Sequence, residues 1–157
     1  MIVKQIIDED FINYKVPSML ISFPRCSWKC GKELCHNTEL EHLPDIELSI
    51  EAIIQRYISN PISKAIVFSG LEPFDSYNDL LTLAQKFREV TSDLIVIYTG
   101  YTEEEAAMYR ELYEISNLII KFGGYIPGHQ PHYEAVLGVN LSSGNQYAKH
   151  INHLGDQ

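Results

Sequence analysis

The chain has 157 residues, 45% of them apolar and 21% charged, which fits one soluble globular domain spanning 1–157 with a core of its own. A net charge of −9 argues against a general nucleic-acid binder, and no apolar run approaches the length of a membrane span. The start, MIVKQIIDEDF, lacks the basic opening and long apolar stretch of a secretion signal, so a cytoplasmic protein is expected.

In chain order, Ile2 to Ile7 reads as a short edge strand, and Ser18 to Phe23 as a stronger, apolar one that runs into Pro24. From Ser49 the period changes. Ile50, Ile53, Ile54, Tyr57 and Ile58 share one helical face, Ser49 caps the start and Asn60-Pro61 ends the run. Ala65 to Phe68 is a short buried strand followed by Ser69-Gly70-Leu71-Glu72-Pro73. A helix from about Ser76 buries Leu80, Leu83, Ala84 and Phe87. Leu94 to Tyr98 is the next strand. Thr102 and Glu105 form a capping box for a helix that turns Met108, Leu112 and Ile115 inward. Leu118 to Ile120 is read as the last clear strand, stopped by Gly123-Gly124.

Strand, loop and helix in alternation imply right-handed crossovers and a mainly parallel sheet, with functional groups gathered in the loops that leave the strands. Four or five units are too few to close an eight-unit barrel. The expected class is therefore α/β, an open partial (βα) barrel with a mainly parallel sheet.

All three cysteines lie in one loop, Cys26, Cys30 and Cys35, in a C-x3-C-x4-C run interleaved with Arg25, Lys29 and Lys32. Three clustered thiols point to metal ligation or redox work, and the cations stabilise thiolates. A four-iron cluster held by three cysteines leaves one iron open to a substrate or cofactor. Zinc would need a fourth ligand, with His36 adjacent and His42 or a distant histidine better placed. In Ser69 to Pro73, Gly70 would let a ligand approach the main chain, exposed amides would grip a carboxylate, and Glu72 would accept from a ligand ammonium. The alternative is a plain strand-to-helix turn. His129 and His132, and His150 and His153, are read as solvated loop or tail residues. Tyr57, Tyr77 and Tyr109 sit at helical spacing and are read as packing groups.

From about Ser18 to Gln146 the chain resembles the radical S-adenosylmethionine (radical SAM) enzymes, and among them the activating protein of anaerobic ribonucleotide reductase. The resemblance rests on the three cysteines after the first core strand, SGLEP after the second, Tyr98-Thr99-Gly100-Tyr101 after the third, and Ser142 to Gln146. It implies a 4Fe-4S cluster on Cys26, Cys30 and Cys35, and S-adenosyl-L-methionine near Leu34, His36, Asn37, Gly70, Leu71, Glu72 and Thr99. It also implies reductive cleavage to a 5'-deoxyadenosyl radical that installs a glycyl radical on a large reductase subunit, with a flavodoxin or ferredoxin as electron donor. No side chain is required as an acid or base, and neither nucleic acid nor membrane is an expected partner. The family spacing is C-x3-C-x2-C, so two extra residues lie between Cys30 and Cys35, and Leu34 and Leu71 replace an aromatic residue and a glycine. Two other classes remain open: a radical SAM enzyme acting on a small molecule or peptide, and a non-enzymatic zinc-stabilised binding module.

Overall fold

A computed structural model describes residues 1–27 and 38–152. Its elements, in order, are β1 (Ile2–Val3), β2 (Gln5–Asp10), β3 (Ser18–Phe23), α1 (Thr38–Glu41), β4 (Ile46–Glu47), α2 (Ile50–Ile58), β5 (Ala65–Gly70), a 3₁₀ turn (Pro73–Ser76), α3 (Tyr77–Val90), β6 (Leu94–Tyr98), α4 (Glu103–Ala106), α5 (Arg110–Tyr113), β7 (Leu118–Phe122), β8 (His132–Glu134), β9 (Val139–Leu141) and β10 (Tyr147–Asn152).

The main sheet has six strands in the order β10-β7-β6-β5-β3-β2. The four central strands are parallel, and β2 and β10 flank them antiparallel. The central strands are buried on both faces, which is why their sequences are nearly unbroken apolar runs.

Side chains alternate between the two faces. Ile21, Ile66, Phe68, Ile97 and Ile120 meet Ile53 and Tyr57 of α2 and Leu80, Leu83 and Phe87 of α3. Leu80, Leu83 and Phe87 are fully buried, each contributing about 1.5–3 kcal/mol by removal from water. On the other face Leu20, Val67, Val96 and Ile119 form a smaller cluster with Tyr14, Leu137 and Leu141, supplied by the β2–β3 loop and the β8–β9 hairpin. The Ser49 hydroxyl accepts the Ala52 N–H at the start of α2, and the Thr102–Glu105 capping box is formed in full.

Several expectations are corrected. The first edge strand is two strands: Ile2–Val3 pairs with Ile46–Glu47, while Gln5–Asp10 pairs with β3. Between them the buried Lys4 turns its Nζ to Asp45 at 2.8 Å and to the Leu43 carbonyl at 2.6 Å. The helix after Thr102 is broken into α4 and α5, and Met108, expected inside, is 81% exposed. The break lets Tyr109 pack on Phe74 and Tyr77, at ring-centroid distances of 4.9 and 4.5 Å. Nor is β7 the last strand: the chain adds the β8–β9 hairpin and then β10, which pairs antiparallel with β7. His150 therefore stands in a strand, though exposed, and the His132 Nε2 lies 2.7 Å from the Gln146 carbonyl. Among the described residues no helix is long and apolar enough to cross a membrane.

Candidate functional site

The parallel strands all end on one side, and the loops that leave them surround a cavity of about 280 Å³ on the face away from the helices. Cys26 stands at its edge, half-buried, just beyond β3. Gly70, Leu71 and Glu72 come from the loop after β5, and Thr99 and Gly100 from the loop after β6. Lys121 reaches in from β7, and Ile12, Asn13 and Leu141 close the far wall. A more open cleft of about 470 Å³ lies on the other side of Pro24–Arg25, where Asp75 and Tyr77 line it.

Of the residues singled out in the sequence, Cys26, Gly70, Leu71, Glu72 and Thr99 meet at this cavity. Cys30, Leu34, Cys35, His36, Asn37 and His153 lie outside the described residues.

The local bonding revises what each group is for. Gly70 has φ +87°, and a Cβ there would stand 2.4 Å from the Ser22 Cα and 2.5 Å from the Phe23 nitrogen. Glycine is demanded here by the neighbouring strand. Exposed amides were expected in this turn, but those of Leu71 and Glu72 donate to the Phe23 carbonyl at 3.1 Å and the Arg25 carbonyl at 2.8 Å. The β5 loop is thus stitched to the start of the cysteine loop by main-chain bonds.

Glu72 is 4% exposed and ties three segments together. Its Oε1 accepts from the Thr99 hydroxyl at 2.8 Å and the Phe74 N–H at 3.1 Å, and its Oε2 accepts from the Gly100 N–H at 2.8 Å. Burial pushes its carboxyl above the usual range, and the three donors pull it back. Each carboxylate oxygen has two acceptor sites, so Oε2 retains one for a ligand donor. The Thr99 hydroxyl also accepts the Tyr101 N–H at 3.0 Å.

Lys121 was missed in the sequence. It is 6% exposed, donates to the Gly123 carbonyl at 2.8 Å and lies 5.7 Å from the centre of the Tyr98 ring, its neighbour on β6. A lysine inside a strand buried on both faces was the available signal, because a buried cation requires partners. Ser142 to Gln146 proves to be a latch. The Asn145 side chain donates to the Gly124 carbonyl at 2.8 Å and the Gln146 side chain to the Gly123 carbonyl at 3.2 Å.

A soft sulfur at the rim of the cavity is a donor suited to a thiolate-bound cluster, with the Glu72 carboxyl on one wall and Lys121 on another. Residues 19–129 match the model of the 4Fe-4S single cluster domain, a span of well over half the chain, and the chain belongs to that family. It is accordingly an iron-sulfur protein. No curated protein matches the chain.

Proposed function

We propose that this protein is a radical S-adenosylmethionine enzyme that activates a larger glycyl-radical reductase, built on an open partial barrel. The reading is supported chiefly by one observation: Cys26, the Ser69–Pro73 turn and the buried Lys121 converge on one cavity in a chain of the 4Fe-4S family.

Cys26, Cys30 and Cys35 would hold the cluster, with no fourth cysteine in the chain to close it. When bound, such a cluster would supply the one electron needed to cleave S-adenosylmethionine reductively to methionine and a 5'-deoxyadenosyl radical. Lys121, which lines the cavity, would orient the methionine carboxylate by charge, and the remaining acceptor site on the Glu72 Oε2 would take a donor of the methionine amino group. Thr99 and Gly100 act through Glu72, fixing its carboxylate, and no proton need leave any side chain. Ile12 and Asn13 of the β2–β3 loop form the far wall, where Tyr98 donates its hydroxyl to the Asn13 carbonyl at 2.5 Å.

Anaerobic reconstitution with iron and sulfide tests the reading. The expected product is a brown protein with roughly four irons per chain, losing iron when any one cysteine becomes serine. On reduction with S-adenosylmethionine it yields 5'-deoxyadenosine, and with the reductase added a glycyl radical appears by electron paramagnetic resonance. A colourless protein that retains zinc refutes the assignment. Turnover without any radical on a reductase redirects it to a small-molecule substrate.

A further inference from the structure

The 3₁₀ turn that follows Glu72 carries a second carboxylate, Asp75, whose two oxygens face different loops. Its Oδ2 accepts the Ser27 N–H at 2.5 Å, and its Oδ1 accepts the Tyr101 hydroxyl. Ser27 is the residue directly after Cys26. The turn itself does not need Asp75 as a cap, because Glu72 already accepts the Phe74 N–H. Resting on the 4Fe-4S reading above, we propose that Asp75 is a positioning residue that lowers the reduction potential of the cluster through the main chain beside Cys26.

The physical argument has two parts of the same sign. Main-chain N–H groups next to a cluster cysteine commonly point at sulfur, and those bonds stabilise the reduced, more negative cluster. Here the amide that directly follows Cys26 is committed to a carboxylate. The carboxylate also brings negative charge to the base of the cysteine loop, and negative charge opposes adding an electron. A low potential is what cleavage of a sulfonium calls for.

Tyr101 moderates the effect by donating to the same carboxylate. Its ring is 7% exposed and stacks on Phe74 with centroids 5.3 Å apart, so the hydroxyl is held in place from behind. Burial, followed by the bond to Asp75, pushes the Tyr101 hydroxyl far above its ordinary value, and it stays a donor throughout the working range. The other charged groups on residues lining the cleft beside Asp75 are the Met1 α-ammonium, Arg25, Glu47 and Asp79, none of which is altered by the substitutions below.

The test compares three reconstituted full-length proteins, wild type, Asp75→Asn and Tyr101→Phe, in dithionite titrations followed by the resonance signal of the reduced cluster. Asparagine keeps an acceptor for Ser27 and removes the charge. At a fixed solution potential its ratio of reduced to oxidised cluster should rise about tenfold, equivalent to 59 mV for one electron. Phenylalanine leaves the carboxylate without its hydroxyl donor, and the ratio should fall by a smaller factor. Opposite shifts at wild-type iron content separate tuning from loosening of the loop, which would move both variants the same way. Equal potentials in wild type and Asp75→Asn, or shifts of one sign in both variants, overturn the proposal. If Asp75→Asn loses its iron, the Tyr101→Phe shift decides alone, and a rise or no change there refutes it. Failure of the wild type itself to take up a four-iron cluster is a different result and refutes the underlying reading.

Discussion

Replacing Gly70 with alanine separates two explanations of the glycine in the Ser69–Pro73 turn. If it serves only to let a ligand near the main chain, the variant folds normally and binds poorly. The backbone says otherwise. At φ +87° an L-residue costs about 1–2 kcal/mol, and forcing a methyl into a packed site adds about 1–3 kcal/mol. The atoms it would strike are the Ser22 Cα at 2.4 Å and the Phe23 nitrogen at 2.5 Å, both backbone of β3, so no side chain can swing aside. The expected destabilisation is therefore about 2–5 kcal/mol, a large part of the 5–15 kcal/mol that holds a typical domain together. Gly100 provides the internal control: it has no positive φ, and its added Cβ would meet the Glu72 Oε2 at 3.6 Å and the Gly124 Cα at 3.8 Å, ordinary contacts. Urea unfolding of the metal-free reduced protein, followed by circular dichroism, measures both. With a slope of about 2 kcal/mol per molar urea, Gly70→Ala should lower the midpoint by about 1–2.5 M and Gly100→Ala by less than about 0.5 M. A Gly70→Ala midpoint within about 0.3 M of wild type, or equal losses in the two variants, refutes the argument.

Three further outcomes follow from the same structure. Burial holds the Glu72 carboxyl above its unfolded value of 4.5, so the folded chain binds that proton more tightly than the unfolded one; the stabilising contribution is complete below 4.5 and is lost as pH rises through the folded value. Glu72→Gln should remove this component from a plot of unfolding free energy against pH, and an unchanged slope counts against it. Arg88 donates to the carbonyls of Ser116, Thr91, Asp93 and Asn117, joining the end of α3 to the approaches of β6 and β7, and Arg88→Met should cost about 2–4 kcal/mol in urea unfolding. Lys121→Met should weaken binding of S-adenosylmethionine to the reconstituted protein about 10- to 100-fold by calorimetry, the loss of one charge-assisted bond, while unchanged affinity removes Lys121 from the site.

The parallel strands were legible because burial on both faces removes the ambiguity of alternation: SMLISF, AIVF and LIVIY have no other stable use in a chain of this length. The antiparallel edge strand β10 was not. β10 reads YAKHIN, with Lys149 and His150 facing solvent, and an edge strand needs apolar residues on one side only. The break between α4 and α5 has no local signal either, since neither glycine nor proline stands there. It is imposed by Tyr109 docking among Phe74, Tyr77 and Tyr101, a tertiary contact that overrides helical period. Met108 was assigned inward on that period alone.

At the site, residue types were readable and their bonding was not. Glu72 and Thr99 were picked out as ligand contacts, yet their hydrogen bonds to each other and to Gly100 and Tyr101 join the loops after β5 and β6 before any ligand arrives. The same holds further along: the Gly123 N–H donates to the Tyr101 carbonyl, and the Gly123 carbonyl accepts from both Lys121 and Gln146. The cysteine loop is anchored on both flanks, at Ser27 by Asp75 and at Leu43 and Asp45 by Lys4. A cavity whose walls are bonded to one another in this way need not be ordered by what enters it, and interaction energy otherwise consumed in ordering loops is left for holding the ligand. Loss of a single wall bond, such as the Thr99 hydroxyl to Glu72 in Thr99→Val, should then weaken ligand binding and cost about 1–3 kcal/mol in urea unfolding, because a buried acceptor loses one donor while the remaining bonds keep the fold and Oε2 loses its aim.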